Sequence, residues 1–117
     1  MSELDKALAA LAAKRAREGA ERQERRRRSC AFLGAFYEND VRPSRELAAR
    51  GVATAFDGAR LVMQRPGEGD FAEPLLIVVG EQGEIDVGGK SLGRVEPGEE
   101  TAKKDALIAE IIAHFDF

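Results

Sequence analysis

The chain has 117 residues, a third of them charged, with one Cys, no Trp and a formal net charge of −3. That length suits one domain; the lone Cys30 excludes an intrachain disulfide and a cysteine-based metal cluster; and the longest apolar run, residues 75–79, is too short to span a membrane. The charge is unevenly placed: residues 1–28 carry nine basic and five acidic side chains, net +4, and residues 29–117 carry nine basic and sixteen acidic, net −7.

The N-terminal stretch predicts one long helix, from about Glu3 to about Tyr37. Leu4, Leu8 and Leu11 recur at spacings of four and three and share a face. Phe32, Leu33, Phe36 and Tyr37 form a second apolar patch near the far end. Between them KRAREGAERQERRRR, residues 14–28, holds eight basic and three acidic residues. Ala, Arg, Glu, Gln and Lys favour helix throughout; Gly19 and Gly34 each cost about 1 kcal/mol against Ala and are the candidate bends. Unbroken, the helix is about 50 Å long at 1.5 Å per residue, whereas a compact chain of this size has a radius of gyration of about 13 Å. It must therefore protrude, break or lie along a partner.

The polar stretch Glu38-Asn39-Asp40 ends that helix. Pro43 and Ser44 open a short connector helix with Ser44 as N-cap and Gly51 as the C′ residue. Residues 52–65 read as a β-hairpin about an Asp57-Gly58 loop, pairing Phe56 with Ala59, Thr54 with Leu61 and Val52 with Met63. Residues 66–73 read as an exposed loop. The strand Leu75-Leu76-Ile77-Val78-Val79 is apolar on both faces, which predicts a central strand covered on both sides. A turn at residues 80–83 leads to Glu84-Ile85-Asp86-Val87, with Val78 set opposite Ile85 and Leu76 opposite Val87. Gly88-Gly89 leads to a last strand at residues 91–95. The closing helix runs from about Gly98 to Phe115, acids in its first turn, with Leu107, Ile108, Ile111, Ile112 and Phe115 as its buried stripe. The expected architecture is α+β: a long N-terminal helix, a short connector helix, an antiparallel meander of four or five strands, and a C-terminal helix packed on the sheet. The expected division is an arm, residues 1–37, and an α+β body, residues 38–117, forming one domain together.

Several stretches carry candidate chemistry. Arg22, Arg25, Arg26, Arg27 and Arg28 can neutralise phosphates or an acidic protein partner. The competing reading is a solvated face in which Glu18, Glu21 and Glu24 pair at i,i+4 with Arg22, Arg25 and Arg28. Gly88-Gly89-Lys90-Ser91 has the ending of a phosphate loop, but Glu84 stands where its first glycine belongs, so a tight turn is expected. His114 is the only histidine and is expected at the surface near a helix C-terminus. With no second histidine there is no support for general-base catalysis. Glu84 and Asp86 share a strand face that can be solvated. Cys30 follows four arginines, which favour a reactive thiolate if it is exposed, but its apolar neighbours favour a buried thiol.

The segment VGGKSLGRVEPGEETAKKDALIAEII, within residues 87–115, resembles the second half of a double-stranded-RNA-binding domain. In that family two strands precede a helix whose lysine pair, here Lys103 and Lys104, meets phosphates across a groove. The resemblance covers about a quarter of the chain. It departs from the family at Leu107, where a third basic residue is usual. Asp105, Glu99 and Glu100 repel phosphate, and nothing matches the family's first helix and first loop. The chain is therefore not assigned to that family.

The functional expectation is a non-enzymatic, homo-oligomeric binding or adaptor protein, a dimer first, assembling through Leu4, Leu8, Leu11, Phe32 and Phe36, with no cofactor or metal. The alternatives are nucleic-acid binding through the arginines and, third, an enzyme acting on a small anionic substrate. No secretory signal is read at the N-terminus, so a cytoplasmic setting is expected, and the abundance of Ala, Arg and Gly suits a GC-rich bacterial genome.

Overall fold

A computed structural model describes residues 2–65 and 73–117. The loop expected at residues 66–73 therefore lies almost wholly outside the described residues. Helix α1 (Glu3–Phe36) passes into a π-helical turn (Tyr37–Val41), then α2 (Arg45–Ala49), strands β1 (Ala53–Phe56), β2 (Arg60–Gln64), β3 (Leu75–Val79), β4 (Glu84–Val87) and β5 (Lys90–Arg94), and α3 (Glu100–Phe115). The strands form one antiparallel sheet in the order β1-β2-β3-β4-β5.

Helix α1 starts where Ser2 accepts a hydrogen bond from the Asp5 amide at 3.1 Å, satisfying one of the first-turn donors. Neither Gly19 nor Gly34 interrupts it. Glu38-Asn39-Asp40 does not end it either: the chain stays helical to Val41, the Arg42 amide reaching the Tyr37 carbonyl at 2.7 Å. Pro43 then stops it, having no N–H to give. Helix α2 has the expected caps. Ser44 Oγ accepts from the Leu47 amide at 3.2 Å. Gly51, at φ +74°, allows the Val52 amide to reach the Leu47 carbonyl and its own amide to reach that of Ala48, the paired bonds of a Schellman cap.

Two hairpin registers differ from the sequence expectation, each because of turn chemistry. In the first, Phe56 faces Leu61 and Thr54 faces Met63, a slip of two residues. Gly58, at φ +103°, supplies the bend. Asp57 stays outside the loop, its Oδ1 accepting from the Ala59 and Arg60 amides at 3.1 and 2.8 Å. These two backbone bonds, Ala59 first, hold the Asp57 carboxyl below its ordinary pKa. An even slip preserves the faces. In the second, Val79 faces Ile85 and Ile77 faces Val87, a slip of one. The Gly80 amide bonds the Glu84 carbonyl and Gly83 takes φ +82°, closing a three-residue loop rather than a four-residue one. An odd slip exchanges faces: Leu75, Ile77 and Val79 join Ile85 and Val87 inside, and Val78 faces Asp86.

One side of the sheet carries the core. Leu61, Met63, Leu75, Ile77, Val79, Ile85 and Val87 are buried with Leu33 and Phe36 of α1 and Leu107 and Ile111 of α3. Both helices therefore lie on the same face. The expectation that β3 is covered on both faces is corrected: Leu76 is 43% exposed, with Val62 and Val78 half-buried beside it. The stripe expected on α3 is also narrower. Leu107 and Ile111 are buried, but Ile108 and Ile112 are 38% and 45% exposed, because they sit on the shoulder of the helix and the sheet reaches only its crest.

Helix α1 meets the body from Arg25 onward. Ser29 is fully buried, its hydroxyl donating to the Gly83 carbonyl at 2.5 Å. A Cβ on Gly83 would lie 2.7 Å from the Arg25 carbonyl oxygen, so the hairpin turn and the helix touch backbone to backbone. Residues 29–36 belong to the core, and the division between arm and body falls inside α1 rather than at residue 37. The extents, 70 × 31 × 20 Å, and the 18.9 Å radius of gyration are those of a body with a rod projecting from it.

Candidate functional site

The rod comprises residues 3–24, about 33 Å of helix at 1.5 Å per residue. Its side chains are exposed along its whole length. Leu4, Leu8 and Leu11 are 68%, 54% and 41% exposed. At 100° per residue, positions 4, 8, 11, 15, 22, 26, 29, 33 and 36 fall within about 80° of one another. The leucines therefore continue the side of α1 that, further along, faces the core. Of the other expected assembly residues, Phe36 is in its own subunit's core at 4% exposure and Phe32 is half-buried at its edge.

Of the three expected i,i+4 pairs, Glu21 with Arg25 forms, while Glu18 and Glu24 take other partners. Glu24 is gripped by Arg27, with Nε and Nη2 at 2.9 and 2.6 Å from its two oxygens. Those hydrogen bonds hold the Glu24 carboxyl below its ordinary pKa and raise that of Arg27. Glu18 meets Lys14 at 4.0 Å, Glu21 meets Arg25 at 3.9 Å, and Arg28 leaves the helix to meet Glu96 of the body at 3.9 Å. Among the described residues, Arg15, Arg17, Arg22 and Arg26 have no carboxylate within 4.0 Å. Arg22 and Arg26 sit with Gly19 and Glu81 around a shallow depression at the root of the arm.

A second concavity lies at the C-terminal end of α1. It is a groove of about 530 Å³. Phe36 and Val41 wall it from α1 and the π turn, Leu47 from α2, and Ile108, Ile111 and Ile112 from α3. Phe117 closes its far rim: Asp116 takes the left-handed conformation at φ +54° and the Phe117 amide bonds the Ile112 carbonyl at 3.2 Å. The Phe117 ring stacks on Phe115 at 5.3 Å, and the Arg50 guanidinium lies 5.2 Å from its centroid. The rim charges answer one another in place, Asp40 with Lys104 at 3.0 Å and Glu46 with Arg50. The floor is left apolar and open. Sequence reasoning missed this groove. Its one available signal was the doubled stripe Ile108 and Ile112 beside Leu107 and Ile111, too wide for a helix lying on one sheet face.

The other candidates resolve locally. Gly88 and Gly89, at φ +57° and +89°, make the two-residue turn between β4 and β5, the backbone of a type I′ loop. Lys90 pairs with Glu110 at 2.8 Å. Lys103 donates to the Leu92 carbonyl and Lys104 is held by Asp40, so neither lysine of the RNA-domain-like segment stands free. His114 is exposed, its Nε2 2.9 Å from the Glu73 carbonyl oxygen. Cys30 is half-buried against the core. Glu84 and Asp86 lie half-buried on the uncovered sheet face, level with Arg94 and Ser91. Among the described residues no group of three or more His, Cys, Asp or Glu is placed to hold a metal, and no helix is long and apolar enough to cross a membrane. Comparison with protein-family models, with curated proteins and with solved structures finds no match.

Proposed function

We propose that the protein is a non-enzymatic, homo-oligomeric binding or adaptor protein that assembles through its N-terminal helix. The observation that carries this is the free arm with three exposed leucines on its body-facing side. In proteins most helical stability comes from packing an apolar face rather than from propensity. The arm has such a face and, among the described residues, nothing of its own chain against it. The large described groove supports binding over catalysis, being lined by apolar side chains and by ions already paired. A cytoplasmic bacterial setting belongs to the same reading, on the single free thiol and the composition. Light scattering after gel filtration tests it. The intact chain should elute above its 12.7 kDa monomer mass at micromolar concentration, and the combined Leu4→Glu, Leu8→Glu and Leu11→Glu variant as a monomer with an unchanged far-ultraviolet spectrum.

Nucleic-acid binding is the second reading, favoured by one observation: Arg15, Arg17, Arg22 and Arg26 are exposed and lack carboxylates among the described residues. Four phosphate contacts would give a log–log salt slope of about −3.6 on duplex DNA, at about 0.9 per contact. The body's −7 charge works against it.

A further inference from the structure

Resting on the assembly reading above, we infer that the apolar groove at the α1–α3 crossing is the seat for the leucine-bearing tip of α1 from a second copy, in a two-fold antiparallel dimer. Among the described residues, the exposed large apolar side chains fall into three places: Leu4, Leu8 and Leu11 on the tip, Ile108, Ile112 and Phe117 at the groove, and Leu76 on the open sheet face. An amphipathic helix presenting anchors at i, i+4 and i+7 is what a hydrophobic groove accepts. The tip cannot fill its own groove. Leu8 and Phe36 belong to one unbroken helix, which holds them about 42 Å apart at 1.5 Å per residue.

Charge supplies the register. Antiparallel helices crossing at Gln23 bring residues 4–11 level with residues 35–42, the stretch that walls the groove at Phe36, Asp40 and Val41. The same crossing sets Glu18 opposite Arg28 and Glu21 opposite Arg25, and symmetry repeats both pairs. All four lie within about 80° on one flank of α1, at 100° per residue. In the single chain their partners stand at 3.9–4.0 Å, long contacts that can be exchanged for intermolecular ones. A parallel alignment would instead set Arg25 through Arg28 against themselves. The contact is isologous, so it closes at two copies, and each tip meets a groove whose own rim charges are already paired.

Intermolecular cross-linking tests this in the full-length chain. Cys30→Ser removes the native thiol. Leu8→Cys in one preparation is mixed with Ile112→Cys in another and oxidised, beside a control mixing Leu8→Cys with Leu76→Cys. The expected result is a disulfide-linked heterodimer from the groove pair and none from the sheet pair. A product from the sheet pair alone, or none from either while the unmodified chain is dimeric by light scattering, overturns the groove as the seat and leaves assembly through the arm standing. A monomeric unmodified chain overturns both. Ile108→Glu with Ile112→Glu, both already solvent-exposed, should weaken the dimer at least tenfold with an unchanged far-ultraviolet spectrum. An unchanged dimer there contradicts the inference.

Discussion

The two ends of α1 are built from similar sequence and live in opposite environments. From Arg25 to Phe36 the helix is anchored: Ser29 and Leu33 are fully buried, Phe36 nearly so, and the Gly83 turn is pressed against its backbone. From Glu3 to Glu24 the same side of the same helix is bare. One stripe thus does two jobs. Where the sheet lies under it, it contributes to the fold. Where the sheet stops, it stays exposed. The lesson is that amphipathicity marks a face needing cover without saying which molecule covers it.

Substitutions along the stripe sharpen that comparison. The largest effect should come from Leu33→Ala. A fully buried leucine replaced by alanine costs about 2–5 kcal/mol, enough to remove much of a small domain's stability. Leu8→Ala makes the same chemical change on the arm and should move monomer stability by no more than about 0.5 kcal/mol. Urea denaturation of both variants at concentrations low enough to keep the chain monomeric reads the contrast, and equal losses there would mean that the arm is packed in the single chain.

Gly83→Ala comes next. A left-handed backbone costs a β-carbon about 1–2 kcal/mol, and that carbon would also meet the Arg25 carbonyl. The helix must shift, so the thermal midpoint should fall by several degrees. Ser29→Ala should cost a comparable amount, about 1–3 kcal/mol for a buried carbonyl left without its donor.

The smallest effect concerns pH. The folded Asp57 carboxyl titrates below its ordinary value because the Ala59 and Arg60 amides bond it. Its stabilisation is therefore complete above the unfolded value, about 3.9, and is lost as pH falls through the depressed folded value. The group is exposed and the loss slight. Asp57→Asn should flatten the acid limb of a stability profile and leave the neutral region nearly unchanged.

Much of this was legible in the residues. Ser44 and Gly51 bracket α2 as capping chemistry requires, and Gly88-Gly89 makes the tight turn. The number and order of elements followed from the spacing of apolar residues. The registers were not legible, because the hydrogen bonds made inside the loops decide them. Asp57 bonds the turn with its side chain instead of entering it, and Gly83 closes a three-residue loop where four residues were available. Nor was the root of the arm. Leu8, Arg15, Arg22, Ser29 and Leu33 follow one helical line, and only Gly83 of the distant β3–β4 turn decides where along it the body begins. The groove was invisible for a related reason: it is assembled from α1, the π turn, α2, α3 and the last residue, each contributing one to three side chains.

The most direct test of the account is sedimentation equilibrium on the intact chain beside a chain beginning at Arg25. The shortened chain keeps Ser29, Leu33, Phe36 and the whole groove, so it should stay folded. The account predicts a dimer for the intact chain at micromolar concentration and a cooperatively folding monomer for the shortened one. A monomer for the intact chain, or the same self-association without residues 1–24, would contradict it.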